Sequence, residues 1–122
     1  LGRESTRERG SKAELEGARW LERHGYRILA RNVAFRFGEL DVVALEGPTL
    51  CFVEIKARRT GRYGAPGEAV TPAKQRRLSR GARAWLARRP HQGPCRFDVL
   101  AMRAEGPSWR FELVRNAFEA PA

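Results

Sequence analysis

Two acids and a lysine carry the chemistry legible in this sequence. In GELDVVALEGPTLCFVEIK, residues 38–56, Asp41 precedes one apolar run, a turn signal follows at Glu46-Gly47-Pro48, and a second apolar run leads into Glu54-Ile55-Lys56. Both runs are strand-like, and the Gly-Pro between them predicts a hairpin. Side chains alternate along a strand, so Glu54 and Lys56 share one face and Ile55 takes the other. With the turn centred between Gly47 and Pro48, antiparallel pairing sets Asp41 opposite Glu54 and Glu39 opposite Lys56. Directly opposed residues hold their Cβ atoms about 4.5–5.5 Å apart. Carboxylates that close repel each other unless a cation or the lysine ammonium lies between them, and a divalent metal site resolves the conflict. The register is the step to test, because Pro sits awkwardly as the second residue of such a turn and a one-residue slip would carry Asp41 to the other face.

These residues suit phosphodiester hydrolysis. Carboxylates can hold one or two Mg²⁺ ions, with Mn²⁺ as a substitute, that polarise a phosphoryl oxygen and acidify an attacking water, while the lysine orients that water or offsets developing charge. Other catalytic systems find no support. His24 ends a helix and His91 sits in a Pro/Gly loop, which leaves no Ser/His/Asp or Cys/His arrangement. A GxxxxGK[ST] phosphate loop is missing as well.

The formal charge of +10 comes almost entirely from arginine. Arginine's planar fork matches phosphate, so nucleic acid is the first partner to consider; a general preference for arginine in the source organism is the plainer alternative. With 122 residues and 42% hydrophobic content the chain is read as a single domain over residues 1–122, residues 1–10 being flexible and peripheral to it. Cys51 and Cys95 lack metal-ligand spacing and are expected to be buried free thiols in a reducing cytoplasm. No apolar stretch approaches the roughly 18 residues of a membrane span, and the first ten residues do not read as a signal sequence, so a soluble cytoplasmic protein with no membrane partner is expected.

The surrounding elements must bring these groups together. Ser11 to His24 predicts a first helix ended by Gly25, with Leu15, Ala18 and Leu21 on its apolar face, helped by Trp20. Two roles stand for Glu14: Ser11-Lys12-Ala13-Glu14 fits a capping box, yet Glu14 also lines up with Ala18 and Leu21 on the inward side. Tyr26 to Val33 predicts the first strand. After Lys56 comes the basic, glycine-rich stretch 57–64, either an ordinary solvated loop or one that wraps a phosphate backbone. A second helix is predicted from Thr71-Pro72 to Arg89, with Leu78, Ala82, Trp85 and Leu86 buried. Its other faces carry Lys74, Arg76, Arg77, Arg80, Arg83 and Arg88, a solvated surface or a phosphate track. Arg96 to Met102 and Ser108 to Val114 predict a second hairpin joined by residues 103–107. Asp98 within it is read as a structural ion pair rather than a further site acid, and Phe118 packs either on the core or against a partner.

At Asp41, Glu54 and Lys56 the chain resembles the PD-(D/E)XK nuclease superfamily. Its surroundings are similar to one branch, the YraN-like family of small bacterial proteins: Glu14 with Ala18 and Trp20-Leu21, Gly25-Tyr26, Ile28-Leu29, Arg31-Asn32, Gly38-Glu39-Leu40-Asp41, Phe52 to Arg58, Glu68-Ala69-Val70, Lys74, Arg77-Leu78, Arg96 to Val99 and Asn116-Ala117-Phe118. These features cover nearly the whole chain in order. Ala13 and Gly17 depart from the family's usual Gly and Ala without touching the proposed chemistry. The resemblance implies an α/β fold of restriction-endonuclease type, a mixed central β-sheet flanked by helices, akin to archaeal Holliday junction resolvases. It also brings the helical Glu14 to the site.

The function expected on this basis is Mg²⁺-dependent endonucleolytic cleavage of DNA, on branched or distorted structures, in repair or recombination. Asp41 and Glu54 would bind metal with Glu14 as a further ligand, and Lys56 would position the nucleophile. Arg58, Arg59, Arg62, Lys74 and Arg77 would contact phosphates. A homodimer is suggested by fold analogy alone. The rival expectation is a non-catalytic nucleic-acid-binding module of a repair complex, since the same scaffold hosts inactive members.

Overall fold

A computed structural model describes residues 6–36, 38–59 and 70–120, with side chains from Lys12 onward. The elements run α1 (Thr6–Arg23), β1 (Arg27–Phe35), β2 (Gly38–Glu46), β3 (Thr49–Arg58), α2 (Pro72–Arg88), β4 (Cys95–Glu105) and β5 (Ser108–Phe118). The five strands form one sheet in sequence order, antiparallel except where β3 runs parallel to β4. Parallel neighbours need a crossover, and α2 lies within it. This is the restriction-endonuclease-like α/β architecture that the resemblance implied.

Each helix covers one face of the sheet. Ala13, Ala18 and Leu21 of α1 pack with Val42, Ala44, Cys51, Val53, Ile55, Leu100 and Met102. Leu78, Ala82 and Trp85 of α2 pack with Leu40, Val43, Leu50, Phe52 and Val99. The alternation along β3 follows the pleat, with Cys51, Val53 and Ile55 toward α1 and Leu50 and Phe52 toward α2. Gly81 lets α2 lie close: a Cβ there would come within 2.5 Å of Phe35 Cε1. Thr71 caps α2 by accepting the Lys74 N–H at 3.2 Å, and Pro72 opens its first turn, as the sequence predicts.

The β2–β3 turn holds the predicted register, with Glu46 paired to Thr49 around Gly47-Pro48. Gly47 at φ +57° supplies the positive φ that a type II′ hairpin needs at its first central residue. Pro at the second position, where φ is negative, is then accommodated.

Several boundaries differ from the sequence expectation. The helix α1 begins at Thr6, so Ser11 lies inside it and no capping box involves Glu14. The straight-chain residues of Arg7-Glu8-Arg9 favour the extra turn. Residues 1–5, like the glycine-rich stretch 60–64, lie outside the described residues. Strands β4 and β5 extend well past Met102 and Val114, and the expected connection of residues 103–107 shrinks to a turn at Gly106-Pro107. Exposed Arg103, Glu105, Arg110 and Arg115 interrupt the apolar alternation there, although the backbone continues to pair.

Away from the site, Asp98 is 1% exposed and takes hydrogen bonds from Tyr26 Oη at 2.7 Å and Arg96 Nε at 2.7 Å. It is the structural ion pair that was expected. Arg96 reaches on to Glu46, whose other oxygen accepts Arg115 Nη2 at 2.6 Å. Phe118 packs on the α2 core and stacks on Phe97 with centroids 4.6 Å apart. Cys51 is a buried thiol, whereas Cys95, expected to be buried, is exposed at the very start of β4. No helix among the described residues is long and apolar enough to cross a membrane.

Candidate active site

The site is a gap in the sheet filled by side chains. Pairing of β2 with β3 runs from the turn to Val42↔Val53 and stops; the next position in this register sets Asp41 opposite Glu54, as counting from the turn predicts. There the Asp41 carboxylate takes the place of a backbone acceptor, its Oδ2 accepting the Ile55 N–H at 2.9 Å. On the other side, β1 pairs Arg31↔Val42 and Val33↔Leu40, which leaves Asn32 facing Asp41 at φ +52°. A left-handed residue interrupts strand geometry, and Asn is among the few that adopt it readily. Both ladders therefore open at one rung, formed by Asn32, Asp41 and Glu54.

Glu14 of α1 enters this opening. One carboxylate oxygen each from Glu14, Glu39 and Asp41 lie within 4.8 Å of one another. With its amide nitrogen turned toward these acids, Asn32 donates to Glu14 Oε2 at 2.8 Å and to Glu39 Oε1 at 3.1 Å. Glu39 and Asn32 are the members that reading from sequence passed over. Register counting placed Glu39 opposite Lys56, but the ladder ends before that pair can form. Its spacing two residues before Asp41 was the available signal, since such residues share a strand face. Nothing in the sequence marks Asn32 beyond the tolerance of Asn for a left-handed backbone.

Glu54 is 8% exposed and holds a different partner, with Lys74 Nζ 2.8 Å from its Oε1. Lys74 was expected on phosphate; the first turn of α2 instead carries it to an acid of the site. Crowding sets the proton affinities. Burial, then the Glu54 charge, raises Asp41 to about 8 against the opposing Ile55 hydrogen bond. Burial and Glu39 raise Glu14, with Arg31 opposing. Lys56 is partly buried, and desolvation together with the charges of Lys74 and Arg58 lowers its pKa.

The remaining predicted contacts are dispersed. Arg58 is exposed at the end of β3, and Arg59 lies with its guanidinium carbon 4.6 Å from the Trp109 ring centroid. The exposed Arg77 lays its stem over Gly38 at the start of β2, its Cδ 3.0 Å from where a Cβ would stand. Arg62 lies outside the described residues.

The donor set is all oxygen, which suits a hard divalent cation such as Mg²⁺ rather than a thiophilic metal. The raised proton affinities of Asp41 and Glu14 record the same need: without a positive charge among them the acids cannot all ionise cheaply. The residues present thus fit the group that the sequence called for.

Residues 13–102 match a family described as Uncharacterised protein family UPF0102. A UPF0102 protein of Symbiobacterium thermophilum is 53% identical over 114 residues, covering 91% of this chain and 96% of its own. One from Geobacter metallireducens is 47% identical over 111 residues, covering 90% and 91%. Another from Chlorobium chlorochromatii is 42% identical over 120 residues, covering 93% of each. Their names state no activity.

Proposed function

The chain belongs to the uncharacterised protein family UPF0102, and from that premise we propose, on the chemistry of the site, that it is a divalent-metal-dependent nuclease acting on DNA, on branched or distorted DNA in particular. The observation that carries the reading is the single rung of Asp41 and Glu54, joined by Glu14 and Glu39, with Lys56 two residues beyond Glu54. Glu14, Glu39 and Asp41 would hold the cation, with Glu54 bordering it. Mg²⁺ bound there would polarise a phosphoryl oxygen and acidify a water.

The chain's own residues supply the rest. Asp41 is fixed by the Ile55 N–H, so its carboxylate presents a set geometry rather than a mobile one. Lys56, partly desolvated and beside other cations, gives up a proton more readily than a free lysine and can hold and orient the attacking water. Lys74 holds the Glu54 carboxylate in place through their ion pair. Arg58, Arg59 and Arg77 would meet the phosphate backbone, with Arg62 as a further contact.

A non-catalytic nucleic-acid-binding module is the second reading, favoured by the +10 charge. It leaves the clustered acids unexplained, because carboxylates beside a phosphate-binding surface weaken binding. Cleavage of a labelled four-way junction, a flap and a plain duplex, in Mg²⁺ and in Mn²⁺, tests the two. Glu54→Ala is expected to abolish cleavage and keep binding, and the variant also controls for contaminating nucleases. Binding by both proteins with cleavage by neither would favour the module.

A further inference from the structure

Three arginines share one rung of the sheet beyond the acids. Arg58 on β3 pairs with Arg103 on β4, which pairs in turn with Arg110 on β5. Directly paired residues share a face, and alternation from Phe52 and Val99 places these arginines on the α2 side of the sheet, the side of Glu54 and Lys56. At about 3.3 Å per residue the rung lies roughly 7 Å beyond Lys56 and roughly 13 Å beyond Glu54 along β3. The rung between holds Lys56, Ala101 and Glu112.

All three arginines are exposed. A cleft of about 360 Å³ is lined by Ala101, Arg103, Arg110, Phe111 and Glu112. Among the described residues Glu112 is the one acid lining it, against two arginines, so the positive charge dominates. On the neighbouring rung the small Ala101 stands between Lys56 and Glu112. A polyanion laid along the row would meet three guanidinium groups, each offering a two-pronged match to a phosphate.

We propose that Arg58, Arg103 and Arg110 form a phosphate track that leads one nucleic-acid strand from the candidate active site across β4 to the β5 edge of the sheet. The track grips backbone and reads no base, so it contributes affinity without sequence preference. Arg59, one residue after Arg58, turns to the opposite face over Trp109 and lies outside the row. The anion site stands on the sheet register alone; only its role as a substrate path rests on the nuclease reading.

Binding of a fluorescently labelled DNA duplex in EDTA, followed by anisotropy over a range of NaCl concentrations, tests the track. Arg103→Gln/Arg110→Gln is expected to weaken binding at least tenfold and to flatten the log–log salt slope by about 1.8, two contacts at about 0.9 each. The charge-matched control Arg23→Gln/Arg27→Gln, at exposed positions at the end of α1 and the start of β1, should change the slope little. An unchanged slope in the first variant, or an equal change in both, overturns the proposal. Thermal unfolding guards against a folding defect, since a weakening that comes with a large drop in midpoint is not scored as loss of the track. Cleavage is scored separately in Mg²⁺. A flattened slope in a protein that never cleaves keeps the track and removes the nuclease reading; active protein with an unchanged variant slope does the reverse.

Discussion

Lys74 Nζ lies 2.8 Å from Glu54 Oε1, so the helix that follows the hairpin neutralises an acid the hairpin has buried. Lys74→Met would strand that carboxylate. A loss of about 1–3 kcal/mol is expected in denaturant unfolding without divalent cation, the usual scale for a buried polar group deprived of its partner. Added Mg²⁺ should recover much of it by supplying another positive charge. An equal loss with and without Mg²⁺ would mean that the lysine and the cation serve different acids.

The proton affinity of Asp41 gives a pH signature. Its folded value of about 8 stands above its ordinary 3.8, so across that interval the folded chain keeps a proton the unfolded chain has lost. Stability of the metal-free protein therefore falls as pH rises from about 4 to about 8. Urea midpoints in EDTA at pH 5 and pH 8 should show the fall, and Asp41→Asn should shrink it. Because the cation must displace that proton, Mg²⁺ affinity should strengthen with pH through the same window.

Glu39 is the acid that register counting sends elsewhere. If it completes the oxygen cluster with Glu14 and Asp41, Glu39→Gln should weaken Mn²⁺ binding by about tenfold or more in calorimetry. Glu112→Gln, also on the sheet but outside the cluster, should leave Mn²⁺ affinity as it is.

A separate acid-sensitive element lies at the hairpin turn. Hydrogen bonds from Arg115 and Arg96 hold Glu46 at about 2, below its ordinary 4.5. Its contribution is complete above the unfolded value and lost as pH falls through the folded one. Thermal midpoints of Glu46→Gln and the native protein should differ at pH 6 and converge toward pH 2. The gap should be at most about 1 kcal/mol, since the pair is partly solvated.

Much of this site is legible in the sequence because a tight turn makes register countable. Gly47-Pro48 fixes the count, and Asp41 falls opposite Glu54 in consequence. Alternation likewise gives Lys56 the same face as Glu54. What could not be counted is where pairing stops. The gap at Asn32 and Asp41 depends on a left-handed backbone that only the folded sheet stabilises, and through it Glu39 reaches Glu14 rather than Lys56. The role of Glu14 was ambiguous because a capping box and an inward acid look alike until the helix start is known. The ends of β4 and β5 were hidden for the opposite reason. Arg103 and Glu105 read as a connection in an apolar count, yet the neighbouring strand supplies their backbone partners. Lys74 was visible as a cation, and only the approach of α2 to β2 and β3 decides that it meets an acid.

The parallel seam between β3 and β4 also imposes an order of assembly. It joins Cys51 to Arg96, 45 positions later, while the α1–β1–β2–β3 segment holds every acid of the site and contacts itself locally. Closing so long a crossover is the costly step in building such a sheet. Synthesis and folding therefore bring the carboxylates together first, in a segment close to charge balance, with eleven Lys/Arg against nine Asp/Glu in residues 1–58. Lys74 and two of the three rung arginines join only when the crossover closes, so the kinetic bottleneck of the fold is also the moment at which most of its positive charge, thirteen Lys/Arg against five Asp/Glu in residues 59–122, is gathered onto the sheet.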